Sequence, residues 1–332
     1  MRKIFYCILF IHCCAGKATA QVDPHFSQFY AYPLWLNPGM TGVMDGNYRI
    51  TGIYRNQWSD VMTAFNTAGV SLDFNTEKNL NIGFNFMNQT AGDAGYKYLN
   101  AYATLAYSGI RFGQDNNQQI TTGIQVGLLS RRFDPAKFQF GDQWNPITGY
   151  NPGATTADVI AQSSSSVLDV GAGISYFDAS PDKKANLFAG VAAFHLTRPE
   201  DPFVNSSSKK FLPVRYSFHA GARINLSERA SITPNFLYLK QGNASEKMAG
   251  LFTQLNVNDY TDLLFGVNYR FNDAVSPYAG VAFQSFVLGV SYDVNTSDLG
   301  KAVTGTNSLE LSFTYIGRKS GKPLRYLSCP RF

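Results

Sequence analysis

The sequence predicts an all-β fold, a transmembrane antiparallel β-barrel of about fourteen strands behind a cleaved N-terminal signal. Three observations predict it. Runs of about ten residues alternate apolar with polar side chains, the period of a strand with two unlike faces. Aromatic residues make up 14% of the chain and charged residues only 15%, against about 25% charged in ordinary soluble domains. The chain also opens on an export signal.

Residues 1–20 read as that signal. Arg2 and Lys3 give a positive start, residues 4–14 form a short apolar run, and Ala18-Thr19-Ala20 is a small-x-small cleavage site. The mature chain is therefore expected to begin at Gln21. The apolar run falls short of the ~18 residues a spanning helix needs, which argues against an uncleaved anchor. Cys13 and Cys14 follow His12 and Cys13, not the small residues of a lipoprotein site. Processing would lower the formal net charge of +5 by the three units of Arg2, Lys3 and Lys17. The near-neutral remainder speaks against a nucleic-acid partner, which requires a concentrated basic surface. Cys7, Cys13 and Cys14 leave with the signal, so the lone Cys329 has no partner for a disulfide and no cysteine metal site is expected.

Residues 21–46 are a leader unlike the rest, rich in aromatics, broken by prolines and not alternating. Asp23-Pro24-His25-Phe26-Ser27-Gln28-Phe29-Tyr30 runs into Pro33-Leu34-Trp35-Leu36-Asn37-Pro38-Gly39. So many aromatic rings would be costly in water, which predicts that the leader folds into the lumen or against the periplasmic mouth.

Residues 47–316 carry the strands. They are expected to start near Asn47, Ala64, Asn79, Lys97, Gln118, Val167, Asn186, Val214, Arg229, Lys247, Thr261, Ala274, Phe286 and Thr306. In one, Leu80, Ile82, Phe84 and Phe86 take one face and Asn81, Gly83, Asn85 and Gln89 the other. Each run has the length a tilted strand needs to cross the hydrocarbon layer. Closure follows because an unpaired backbone group in lipid costs several kcal/mol, so a sheet there can leave no edge. If the first strand runs outward, the long connections 133–166, 198–212 and 295–305 are all extracellular. The short ones at 75–78, 180–184, 227–228 and near Ser285 are periplasmic, the expected asymmetry. Ser163 to Ser166 read as a flexible loop. Fourteen strands enclose a lumen wide enough for water or a plug.

Alternation sends Arg49, Arg55, Asp73, Asp169, Arg215, Arg223, Asp262, Arg270, Asp293 and Glu310 inward. On the lipid side an Arg or Lys would cost ~2–4 kcal/mol at the midplane. Both signs are interspersed, so a salt-bridged, stiffened lumen is favoured over a selectivity ring. Residues 317–332 form a basic tail of Arg318, Lys319, Lys322, Arg325 and Arg331, periplasmic by topology, and suited equally to a disordered end or to docking on a periplasmic partner or anionic membrane lipid headgroups.

No catalytic or cofactor site is expected. His195 and His219 fall on predicted neighbouring strands and point inward, but too sparsely, and without a nearby carboxylate cluster, for a metal site. Ser217 near His219 lacks an orienting acid for nucleophilic chemistry. Gly171-Ala172-Gly173 is not a nucleotide loop, because no helix follows.

The leader resembles the opening of the PorP/SprF family, as does Tyr54-Arg55-Asn56-Gln57-Trp58 in the first strand. Further similarities are Gly141-Asp142-Gln143, His195-Leu196-Thr197-Arg198-Pro199, residues 216–221 and 289–293, and the end Cys329-Pro330-Arg331-Phe332. Gly39-Met40 stands where the family usually has Ala-Phe. The resemblance implies a non-enzymatic outer-membrane barrel of Bacteroidota in the type IX secretion and gliding machinery. It would contact periplasmic ring and lipoprotein components and help secrete or anchor a large adhesin. The family motifs make Asp23 to Tyr30, Asn37, Pro38, Arg55, Trp58 and Cys329 to Phe332 the candidate partner contacts. The polar lumen alone would equally suit a porin or small-solute transporter.

Overall fold

A computed structural model describes residues 23–318 except 60–62, 77, 94, 157–161, 202, 204–209, 299, 301–302 and 304. The expected signal (1–20) and most of the basic tail lie outside the described residues, as do Cys329, Pro330, Arg331 and Phe332.

Fourteen antiparallel strands close into one barrel. They are β1 (Tyr48–Gln57), β2 (Phe65–Asn75), β3 (Leu80–Ala91), β4 (Tyr96–Phe112), β5 (Gln118–Arg132), β8 (Ser164–Asp178), β9 (Ala185–Phe194), β10 (Arg215–Ser227), β11 (Ala230–Gln241), β12 (Ala244–Asn258), β13 (Thr261–Arg270), β14 (Ala274–Phe283), β15 (Phe286–Asn295) and β16 (Ser308–Gly317). The two-residue strands β6 (Trp144–Asn145) and β7 (Gly149–Tyr150) form a separate hairpin in the longest connection. Every expected strand is present and begins within three residues of its expected start. Ser164 to Ser166, read as loop, instead open β8, because β5 continues far enough for Ser130 to Arg132 to pair with them. The seam is β1 against β16, with Arg55 directly opposite Glu310.

The barrel follows from side-chain period. Along β3 the burial alternates strictly from Leu80 to Met87: Leu80, Ile82, Phe84 and Phe86 point out, while Asn81, Asn85 and Met87 are buried. Ile124, Val126 and Leu128 on β5, and Leu309, Leu311 and Phe313 on β16, repeat the outward apolar row. Such a row is stable only against hydrocarbon, and closure pairs the backbone that hydrocarbon cannot satisfy. No described helix is long and apolar enough to cross a membrane. The protein is an outer-membrane β-barrel that crosses with strands.

The interior is filled by the chain's own leader. Residues 23–44 are buried, apart from half-buried His25. They run as turns and short helical pieces, Phe29–Ala31, Pro33–Leu36 and Pro38–Met40. Two of the three pieces start on proline, whose fixed φ and missing N–H suit a first helical position.

Candidate functional site: the clamped lumen

Three polar clusters join leader to wall. The first surrounds Ser27. Glu310 accepts the backbone N–H of Ser27 at 2.7 Å and of Gln28 at 2.9 Å, and pairs with Arg55 across the seam. Arg55 and Arg270 both reach Asp293, at 3.0 and 2.9 Å. The Ser27 hydroxyl donates to Asp293 at 2.8 Å and accepts from Arg270 at 3.0 Å. Asn268 donates to the Ser27 carbonyl at 2.8 Å. Gln28 donates to Ser291 at 3.0 Å and accepts from Ser312 at 2.7 Å. Arg55 and Glu310 have no exposed side-chain surface. Ions so deep hold their charge only when paired and fully hydrogen-bonded. Here two cations face two anions, and the leader supplies the remaining donors.

The second cluster centres on His195. Its ring nitrogens meet Asp23 at 2.7 Å and Asp169 at 2.8 Å. Tyr98 donates to Asp23 at 3.2 Å, and Tyr102 to Asp169 at 2.6 Å. Burial lowers the affinity of the His195 ring for a proton, but the carboxylates of Asp23 and Asp169 outweigh it and raise its pKa to about 9. Burial opposes ionisation of Asp23 as well. His195, Arg215 and Gln241 more than offset it and hold that carboxyl well below the usual carboxylate range. Nearby, the Arg215 guanidinium is sandwiched between Trp35 and Phe194 at 4.0 and 4.1 Å from the ring centres, and donates to the Trp35 carbonyl at 3.1 Å. Such stacking on aromatic faces is favourable when desolvated.

The third cluster sits at the leader's other end. Asp73 takes a two-pronged ion pair from Arg49, at 3.0 and 2.8 Å, and the Gly42 N–H at 2.7 Å. Arg49 also donates to the carbonyls of Met40 and Val43. Between the clusters, Tyr32 donates to the Phe86 carbonyl at 2.8 Å and also contacts Asn85. Asn37 donates to the Ile174 carbonyl at 3.0 Å and lies 3.2 Å from the ring of His219. Ser175 donates to the Gly39 carbonyl at 2.6 Å.

The leader fits because the facing wall lacks side chains. A Cβ on Gly83 would stand 2.7 Å from Leu34, one on Gly69 2.7 Å from the Tyr32 ring, and ones on Gly123 and Gly173 would overlap Pro38 and Asn37. These glycines are needed for close approach.

Most candidate residues therefore converge. Asp23, Ser27, Gln28, Asn37, Arg49, Arg55, Asp73, Asp169, Arg215, Arg270, Asp293 and Glu310 all belong to the leader–wall contact. Pro24 accepts the Trp35 indole N–H at 3.1 Å. Phe26 packs edge-on to Tyr32 and Phe29 edge-on to Tyr30, which itself wedges against Phe252 and Tyr278. His25 lies 3.8 Å from Glu246. Trp58 stands apart, at the end of β1 with φ +59° and its ring 5.2 Å from Phe65. Arg223 and Asp262 also stand apart, lining a polar cavity of about 580 Å³ at the short-turn end, bordered by Asp45, Arg229 and Arg318.

The reading that His195 has no carboxylates nearby is corrected. It follows the end of β9 instead of lying in a strand, and Asp23 reaches it from 172 residues away. Tyr98, Tyr102, Ser291, Ser312 and Asn268 were not singled out by sequence. Their one signal is a polar or small residue on the inward face. Among the described residues, no group of three or more His, Cys, Asp or Glu is placed to hold a metal ion.

Comparison with known proteins adds two findings. The family described as "Type IX secretion system membrane protein PorP/SprF" matches residues 18–315. Among solved structures, the CymD monoaromatic hydrocarbon channel superposes with a TM-score of 0.50 at 10% identity, over 88% of this chain and 94% of that one. The Ralstonia pickettii toluene transporter TbuX gives 0.48 at 8% identity, over 86% and 93%. The Pseudomonas putida toluene transporter TodX gives 0.48 at 9%, over 88% and 94%. The CymD likeness is one of fold alone. No curated protein sequence matches the chain.

Proposed function

The chain belongs to the PorP/SprF family of type IX secretion system membrane proteins, and from that premise we propose that it is a non-enzymatic scaffold in the outer membrane. It assists the secretion or surface anchoring of an adhesin and docks on ring and lipoprotein components in the periplasm. One observation supports this above the rest: the lumen is occupied by the chain's own leader, held by buried ion pairs. A barrel packed in this way offers its partners surfaces at its two mouths.

Deleting the gene is expected to abolish surface display of one large protein, or gliding, without changing small-solute uptake. Normal display in that strain would overturn the reading. The alternative is a porin or small-solute transporter, favoured by the polar cavity of about 580 Å³ at the short-turn end. Steady conductance of the purified full-length protein in planar bilayers would select the alternative. The scaffold reading expects silence.

A further inference from the structure

The contacts made by the leader are ordered by depth. Asp23 meets His195 just past the end of β9, Arg215 at the start of β10 and Gln241 at the end of β11. All three lie at the end of the barrel that bears the long connections. Ser27 and Gln28 come next, against Arg55, Asp293 and Glu310, each two residues inside that same end. Tyr32 reaches Phe86 midway along β3. Asn37 and Gly39 meet Ile174 and Ser175 in the far half of β8. Gly42 meets Asp73 near the end of β2, and Asp45 bonds Arg318 just beyond β16 at 2.8 Å. Each step moves toward the end with the short turns. In outer-membrane barrels the long loops face outside and the short turns face the periplasm.

We propose that the leader crosses the whole lumen with its Asp23 end at the extracellular mouth and its Asp45 end at the periplasmic one. This rests on barrel asymmetry and holds whether or not the secretion reading does. The rim at the Asp23 end is polar, a cavity of about 130 Å³ bordered by Asp23, Arg215, Lys240, Gln241, Ser245 and Glu246. Although β1 begins at the periplasmic end, Asp23 would lie at the end that faces the cell exterior.

The threading is also locked. Ser27 is bonded on one side of the seam to Arg55 of β1, and on the other to Asp293 of β15 and Glu310 of β16. Withdrawing the leader would leave the wall's own ion pairs in place but remove the hydrogen bonds that Ser27 and Gln28 give to Glu310 and Asp293.

The test uses the full chain in a Cys329→Ser background. Val22→Cys is compared with Ile147→Cys in the long connection, where Ile147 is 93% exposed, and with Glu228→Cys in a short turn. A membrane-impermeant maleimide is applied to intact cells. Val22→Cys is expected to label as fully as Ile147→Cys, and Glu228→Cys only after the outer membrane is permeabilised. Labelling of Val22→Cys only after permeabilisation, or in neither condition, overturns the proposal. A short epitope inserted ahead of Asp23, in protein checked for heat-modifiable mobility, gives a second reading. Antibody binding to intact cells is expected, and binding confined to permeabilised cells overturns it.

Discussion

Arg55 carries a full charge with none of its side chain exposed, and the groups around it explain why the wall needs the leader. Removing one partner of such a buried pair costs more than removing both, because the survivor is left uncompensated. Glu310→Ala is therefore expected to cost about 3–5 kcal/mol, read as a lower urea midpoint of the heat-modifiable band. The Arg55→Leu/Glu310→Leu double variant should lose less than the two single variants together, and strict additivity would count against coupling. The His195 clasp makes a pH prediction. Its folded-state pKa, about 9, lies above the ordinary 6.5. Its stabilisation is therefore complete below about 6.5 and lost as pH rises through about 9. Asp23 has the opposite sign: its depressed pKa contributes above the ordinary carboxylate range and is lost on acidification. Protease sensitivity of the leader should rise between pH 7 and 9.5 in the parent protein, while in His195→Gln it should be flat over that interval. Of this chemistry the sequence revealed only which charges point inward. Which charge meets which depended on residues far apart in the chain: Arg55 and Glu310 are 255 residues apart.

At the scale of the element, each strand is a boundary between two media. Val126 on β5 points to lipid and its neighbour Gln125 to the lumen. Val126→Arg, near mid-strand, is expected to cost ~2–4 kcal/mol. Gln125→Asn is expected to cost less, since it keeps an uncharged polar side chain on the buried lumen face. Equal costs in urea titrations would mean that the faces are assigned wrongly. Strands were legible because period-two alternation is local and each strand repeats it. The start of β8 was less so: a run of serines carries no apolar contrast, and only pairing with β5 makes it strand. The leader's path was not legible at all, since it has no period. The glycines that admit it show the dependence directly. Gly123→Leu would drive a side chain into Pro38. That variant is expected to expose the leader to protease and to raise bilayer conductance above that of the parent, and a Gly123→Leu barrel unchanged in both would refute the close-packing account.

For the molecule as a whole, the leader gives the barrel what a soluble protein has at its centre, a packed interior. Phe26, Phe29, Tyr30, Tyr32, Leu34 and Trp35 are all buried there, so the aromatic cost of the leader in water becomes a gain of core contacts. The wall thus has apolar side chains outside, packed chain inside and paired charges between wall and leader. The long hairpin-bearing connection decorates one mouth and the polar basin around Arg223 and Asp262 the other.

By itself the sequence determined the medium and the wall: an outer-membrane barrel of about fourteen strands, each with an apolar and a polar face. Those properties are local, because the contrast between hydrocarbon and a polar interior is imposed residue by residue. The tertiary structure alone decided that the leader packs within the barrel, that Asp23 belongs to His195 and Ser27 to the β1–β16 seam, and in which direction the leader runs. Burying a charge is tolerable only when distant partners arrive together, and no short stretch of sequence records which partners those will be.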